Sequence, residues 1–193
     1  MENNEHSPRK ERTLAPSSGL FEWTEAIVTS LAFVLLVFTF FIHTNTVVGG
    51  SMTPTLLEGD RLLVTDFLYH PSQGDIVIIS KKTFRTSPIV KRVIAVEGQT
   101  VDIDFEKHEV YVNGNLLDEP YINEPTARSF DMTFPVTVPE GCVFVMGDNR
   151  NASDDSRDSQ LGFVDERYIQ GRVFLRYWPF NVFGVIGSAD IGE

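Results

Sequence analysis

From Ala26 to Ile42 the chain carries no charge, and only Thr29, Ser30 and Thr39 interrupt the apolar side chains. A membrane-crossing helix needs about 20 residues for a hydrocarbon core of ~30 Å. Glu22, Trp23 and Glu25 lie toward one end of the run and His43 toward the other. Together they predict a transmembrane helix over residues 21–43, with Trp23 suited to an interface. A cleavable leader has a shorter apolar stretch that ends in a small-x-small site. This run ends instead in "FFIHTN". The remaining alternative is a buried core helix, but a helix apolar on every side is hard to cover in a small β-rich domain.

The flanks set the rest of the organisation. Residues 1–20 are polar, rich in Pro, Ser and charge, and read as a disordered tail. Arg9, Lys10 and Arg12 precede the run, whereas the first basic residue after it is Arg61. Positive charge stays inside and acidic residues count for little. The expectation is a single-pass protein of the cell membrane. Its N-terminus is cytoplasmic, and residues 44–193 form one extracytoplasmic domain.

Lys and Arg number 16 against 27 Asp and Glu, a net charge of −11. That balance argues against nucleic acid as a partner, since phosphate binding needs basic patches. A single cysteine, Cys142, rules out an intrachain disulfide. Histidines 6, 43, 70 and 108 show no zinc-ligand spacing, so no metal and no cofactor is expected.

The outer region reads as strands. "RLLVTDF", "DIVIIS", "IVKRVIAV", "TVDIDF", "EVYVNG", "FPVTV", "CVFVMG" and "GRVFLRYW" are short, β-branched or aromatic, and divided by Gly, Pro, Asn and Asp. Asn113-Gly114 marks a tight hairpin. Helical periodicity beyond the apolar run never lasts more than a turn or two. The expected fold is mostly β, an antiparallel barrel or coiled sheets, after one N-terminal helix. The stretch "YWPFNVFG", 177–184, has two readings, as a lid on the core or as an interfacial patch.

Three stretches carry chemistry. Ser51 follows Gly49-Gly50, which leave room for an approaching backbone, and precedes Pro54, which stiffens the chain. Most serines are plain turn hydroxyls, and a nucleophilic one needs a base; its own amide is placed to help hold an oxyanion. Lys91 lies in "PIVKRVIAVEG", where strand alternation puts it on one face with Ile89, Val93 and Ala95, and Arg92 on the other with Val90, Ile94 and Val96. Desolvation on an apolar face lowers a lysine from about 10.4 toward neutrality, which a lysine base requires. The bland reading of Lys91-Arg92 is a pair at a sheet edge. The third stretch, "MGDNRNASDDSRDSQLG" at 146–162, is either a solvated Asx-rich turn or a loop that brings hydroxyls and carboxylates to a site. Asp155 and Arg157 are expected to pair at the surface, a contact of little worth. The sequon at Asn151 reads as incidental. Cys142 is a rival nucleophile, but the head of an apolar strand with no nearby His suits a buried small hydrophobe better.

Taken in order, the span, "GGSMTPTL", "GDIVII", "KRVIAVEG" and "GDNRNASDDSR" followed by "GFV" resemble type I signal peptidase, the bacterial-type Ser-Lys leader peptidase. The resemblance covers residues 20 to 187. It implies coiled antiparallel β-sheets, with residues 101–139 as a minimal second β region. It implies Ser51 as nucleophile, Lys91 as general base, and Ser153 hydrogen-bonded to Lys91 and orienting it. It also implies that Asp155 and Arg157 stabilise the site, that Gly147, Asp148, Asn149 and Arg150 shape the loop, and that Met52 lines the substrate groove. Signal-peptide-bearing preproteins with small residues before the cut are the implied substrates, and the lipid bilayer the second partner. An extended peptide is expected to bind between Val47–Gly49 and Ile89–Lys91, beside Val90. In one respect the chain departs from the pattern: where some members carry an oxyanion-binding serine, this chain has Gly49. Three rivals are an assembly or interaction protein with an acidic face, supported only by the net charge, a membrane-anchored β-domain that binds peptides without catalysis, and a repressor-type Ser-Lys autoprotease. The last would start with a DNA-binding helix-turn-helix in place of the apolar run.

Overall fold

The computed structural model describes residues 17–189. The expected disordered tail, 1–20, therefore lies largely outside the described residues. Ser17–Phe41 form a 25-residue helix, α1. It starts earlier than the predicted 21–43 and ends before His43, which already begins the first strand. Within it Gly19–Val37 has mean hydropathy 1.7.

Twelve strands follow: β1 His43–Thr46, β2 Arg61–Thr65, β3 Ile76–Ile79, β4 Ile89–Val96, β5 Thr100–Asp104, β6 Glu109–Val112, β7 Asn115–Leu116, β8 Val136–Thr137, β9 Cys142–Met146, β10 Val164–Asp165, β11 Ile169–Trp178 and β12 Gly184–Val185. An eight-stranded sheet runs β1-β2-β11-β3-β4-β9-β10, with β12 beside β11, and a four-stranded sheet runs β7-β6-β5-β8. Every pairing is antiparallel. The mostly β class after one N-terminal helix is as expected. β6 and β7 form the anticipated hairpin, with Asn113 and Gly114 at φ 52 and 80, the left-handed pair of a type I′ turn.

Alternation builds the cores. On β3, Ile76 and Ile78 join Val47, Met52, Leu56, Leu62, Val64 and Val173 on one face of the large sheet. Val77 and Ile79 join Val93, Val143, Val145, Leu161 and Val164 on the other. A third cluster fills the space under the small sheet with Ile94, Ala95, Val101, Val110, Phe144 and their neighbours. β4 reaches all three cores, and it bulges against β9: Val93 pairs with Val145, but Ala95, not Ile94, pairs with Phe144. The extra residue reverses the alternation. Ala95 therefore faces the third cluster and Val96 the second, opposite to the strict alternation expected of them.

Residues 177–184 do not close the core. Trp178, Phe180 and Phe183 are exposed, Phe180 by 74%.

Candidate active site

Ser51 stands at the start of a tight turn. Thr53 N–H donates to the Gly50 carbonyl at 3.2 Å and Leu56 N–H to that of Met52 at 2.9 Å. Met52 and Leu56 are buried in the core below, so packing fixes the turn that presents the serine. From the other side Asn149 grips it. The Asn149 backbone N–H donates to the Ser51 carbonyl, and its side-chain amide to the Gly50 carbonyl, each at 3.0 Å.

Lys91 is on β4, opposite Val77. It is 3% exposed, on the same face as Ile89 and Val93. Its Nζ lies 2.8 Å from Ser51 Oγ. Burial lowers its pKa to about 8, against the opposing pull of the Asp155 carboxylate.

The loop after β9 is not a solvated turn. Asp148, Arg150, Ser153, Asp155, Ser156 and Arg157 are all buried. The expected surface pair of Asp155 and Arg157 is corrected here: both side chains are fully buried, joined by bonds of 2.8 and 2.9 Å. Asp155 also accepts from Gly147 N–H at 3.0 Å. Arg157 spends its other donors on the carbonyls of Arg128 and Arg150, at 2.7 and 2.6 Å. These carbonyls replace water, which is why the charge tolerates burial. Arg150 is held in the same way by Glu119, Thr126 and the Gly147 carbonyl.

Gly147 sits where no side chain fits. A Cβ there would fall 2.5 Å from both Ser153 Cβ and the Ser51 carbonyl oxygen, and closer still to Ser153 Oγ. Ser153 Oγ is buried and has no hydrogen-bond partner among the described residues. The bond to Lys91 implied for it is absent, although Gly147 brings both serines to the same corner.

Arg92, on the face of β4 opposite Lys91, anchors the loop. Its Nε and Nη2 hold Asp148 at 2.8 and 2.7 Å, and its Nη1 donates to the Gly74 carbonyl at 2.8 Å. Asp148 in turn accepts from Thr55 on the Ser51 turn. The sequence signal for this tie is the adjacent Lys91-Arg92 on one strand and the "GDNR" after another. Its partners are 56 residues apart, so spacing alone does not reveal it.

One groove takes in Val47, Gly49, Met52, Ile89 and Val90 together with Ser51 and Lys91. Met52 and Val47 back its floor from within the core rather than projecting into it. Arg85, Ala152 and Asp154 also line it, and none of these three was expected. Cys142 lies outside this lining, half-buried, with burial pushing its thiol up. The Asn151 amide of the sequon is bound to Glu124 and the Pro125 carbonyl. Among the described residues no cluster of His, Cys, Asp and Glu suits a metal ion.

Residues 20–178 match the family model described as "Signal peptidase, peptidase S26". Signal peptidase I of Bacillus licheniformis is 37% identical over 182 residues, spanning 89% of this chain and 96% of that protein. Signal peptidase IB of Staphylococcus aureus is 34% identical over 182 residues, spanning 85% and 92% respectively. A crystal structure of a signal peptidase I from Enterococcus faecalis aligns with TM-score 0.46 and 32% identity, over 54% of this chain and 97% of that one. The chain thus belongs to the signal peptidase family, peptidase S26, and is a serine endopeptidase of that family.

Proposed function

We propose that the chain removes signal peptides from secreted preproteins with Ser51 as nucleophile and Lys91 as base, cutting after small-x-small sites. The observation that carries this reading is the 2.8 Å contact between Lys91 Nζ and Ser51 Oγ, made by an amine whose pKa burial has brought down to about 8. A free amine accepts a proton; an ammonium cannot.

In this reading Lys91 takes the Ser51 hydroxyl proton as Oγ attacks the scissile carbonyl. The Ser51 amide faces the developing oxyanion. The tetrahedral intermediate collapses, the C–N bond breaks, and the proton passes from Lys91 to the leaving amine of the mature protein. Water then gives a proton to Lys91 and attacks the ester. Collapse frees the signal-peptide carboxylate, and the proton returns to Ser51 Oγ. Asn149, Asp148 and Arg92 hold the Ser51 turn; Asp155, Arg157, Gly147 and Arg150 hold the loop. Ser153, with a spare buried hydroxyl beside Gly147, is the acceptor that would orient Lys91. The substrate lies extended between 47–49 and 89–91, pairing through its backbone, and shallow pockets by Val90 reject large side chains.

We place α1 across the cell membrane with the N-terminus in the cytoplasm and the β-domain outside. Mean hydropathy of 1.7 over Gly19–Val37 and the basic tail support this. Exposed Trp178, Phe180 and Phe183 suit a membrane interface. Sharing a surface with a bilayer-bound substrate raises its effective concentration.

The test is cleavage of a model preprotein by the purified, detergent-solubilised protein, read by mass spectrometry, with Ser51→Ala and Lys91→Ala alongside. Wild type is expected to cut after a small-x-small site and both variants to be inert. Variants that cut as well as wild type would refute the dyad. A folded wild type that binds the preprotein without cutting it would leave a peptide-binding role.

A further inference from the structure

Asp154 lies between Ser153 and Asp155, and the family resemblance gives it no role. Both of its carboxylate oxygens are engaged, by arginines from two other segments. Arg85 Nη2 meets Oδ2 at 2.6 Å, and Arg128 Nη2 meets Oδ1 at 3.3 Å. Arg85 belongs to the connection between β3 and β4, Arg128 to that between β7 and β8. Arg85 is steadied by the Phe84 ring, 5.6 Å away, and Arg128 by Phe130 at 4.2 Å. Asp154 therefore moors two connections to the loop that carries Ser153, and it does so at the groove that holds Ser51 and Lys91.

Stability does not account for this clasp. Its members are a third to a half exposed, and pairs of that kind contribute little to folding. Its location is more telling. The charged groups acting on the Lys91 amine are Asp155 and Arg157 from the buried loop, and Asp154 and Arg85 from the groove. The first two are locked to each other in the interior. The second two face solvent, where an arriving peptide would strip away their water and strengthen their field.

We propose that Asp154, clasped between Arg85 and Arg128, is a positioning residue for the Lys91 amine, holding the 80–88 connection against the Ser153 loop and balancing the charge that the amine meets from the groove. This rests on the reading of Lys91 as the base. Asp154 favours the ammonium form of Lys91 and Arg85 the free amine. Paired, they oppose each other; separated, each pulls the amine in its own direction, whereas a merely structural tie would have no sign.

The experiment measures kcat/KM of the full-length protein on a model preprotein from pH 6 to 10 at low salt, for wild type, Asp154→Asn, Arg85→Gln and the double variant. Asp154→Asn is expected to move the acidic midpoint down, and Arg85→Gln up, each by about half a pH unit. The double variant should return the midpoint to that of wild type yet stay roughly fivefold slower, because the mooring is gone. Arg85→Lys should restore the midpoint, and ~1 M salt should collapse the differences. Midpoints that stay put, or that move the same way in both single variants, would overturn the proposal. Ser51→Ala and Lys91→Ala run in parallel. If they cut like wild type, the base assignment itself has failed; if they are inert while the midpoints stay put, only the role of Asp154 has.

Discussion

Asp155 grips Arg157 through two parallel hydrogen bonds, of 2.8 and 2.9 Å, and neither side chain reaches solvent. Removing one partner strands the other. Asp155→Ala should cost about 3–5 kcal/mol, the range for an orphaned buried charge, measured by urea unfolding. The pair also sets acid stability. Burial alone would raise the Asp155 carboxyl, but the Arg157 guanidinium overrides it and holds it below the usual range. A carboxyl lowered in the fold stabilises it above the ordinary value near 4, and that stability is lost as pH falls through the folded value. Acid-induced unfolding of wild type should therefore show a contribution, in the region below about pH 4, that Asp155→Asn lacks.

Lys91 destabilises where Asp155 stabilises, although both make the fold more stable as pH rises, because both are lowered in the fold. Below pH about 8 the fold carries the full cost of a buried ammonium. As pH rises through that value the amine loses its proton in the fold, while the unfolded chain keeps it until about 10.4. Lys91→Met should therefore be more stable than wild type by ~1–3 kcal/mol at pH 7, with the advantage shrinking toward pH 10. Wild-type kcat/KM should rise about tenfold per pH unit below this point and level off above it. Paired thermal melts and a pH–rate profile check both.

Gly147→Ala puts a methyl group within 2.5 Å of the Ser51 carbonyl oxygen and of Ser153 Cβ. The Ser51 carbonyl is backbone and cannot swing aside, so the proposed Ser51–Lys91 pair must shift. Activity should fall at least a hundredfold, since displacement by about 1 Å costs that much. Preprotein cleavage, with far-UV circular dichroism to confirm folding, measures it.

Val90 lines the groove one residue before Lys91. Val90→Phe should reduce kcat/KM for Ala-x-Ala sites by roughly tenfold, a loss of about 1.4 kcal/mol of complementarity. Mass spectrometry of the products should show a changed cut-site preference. Unchanged preference would move the specificity pocket elsewhere.

Phe180 and Phe183 are exposed. Replacing both with Asp should slow cleavage of a preprotein embedded in vesicles several-fold and leave a soluble peptide substrate unaffected. Equal losses on both substrates would place the two rings in the catalytic fold rather than at the bilayer.

Much of this was legible in the sequence, for identifiable reasons. β4 occupies the residues that its β-branched run marks out, and Lys91 faces Ile89 and Val93 because a period of two holds over that distance. It fails two residues on, because a bulge is fixed by the partner strand and leaves no local mark. β1, with the sequence His43-Thr44-Asn45-Thr46, has no apolar alternation and exists through its pairing with β2. Asp155 and Arg157 carry the composition of a surface turn; only the carbonyls of Arg128, from another connection, and Arg150, from earlier in the same loop, make them interior residues. Asp154 was invisible for the same reason, since its partners lie on two other connections. Ser51 and Lys91 were readable because each carried a local oddity: paired glycines before one, an apolar face around the other.

The supernumerary Ile94 on β4 gives that strand two phases. Ahead of it, the count of residues decides whether the amine points to the serine. Behind it, the count decides which side chains enter the space beneath the small sheet. A deletion before the bulge would turn the Lys91 amine away while sparing the third cluster, and one after it would do the reverse. Drift in this segment can therefore exchange side chains but cannot change their number, so any viable length change must fall in the connections at either end of the strand.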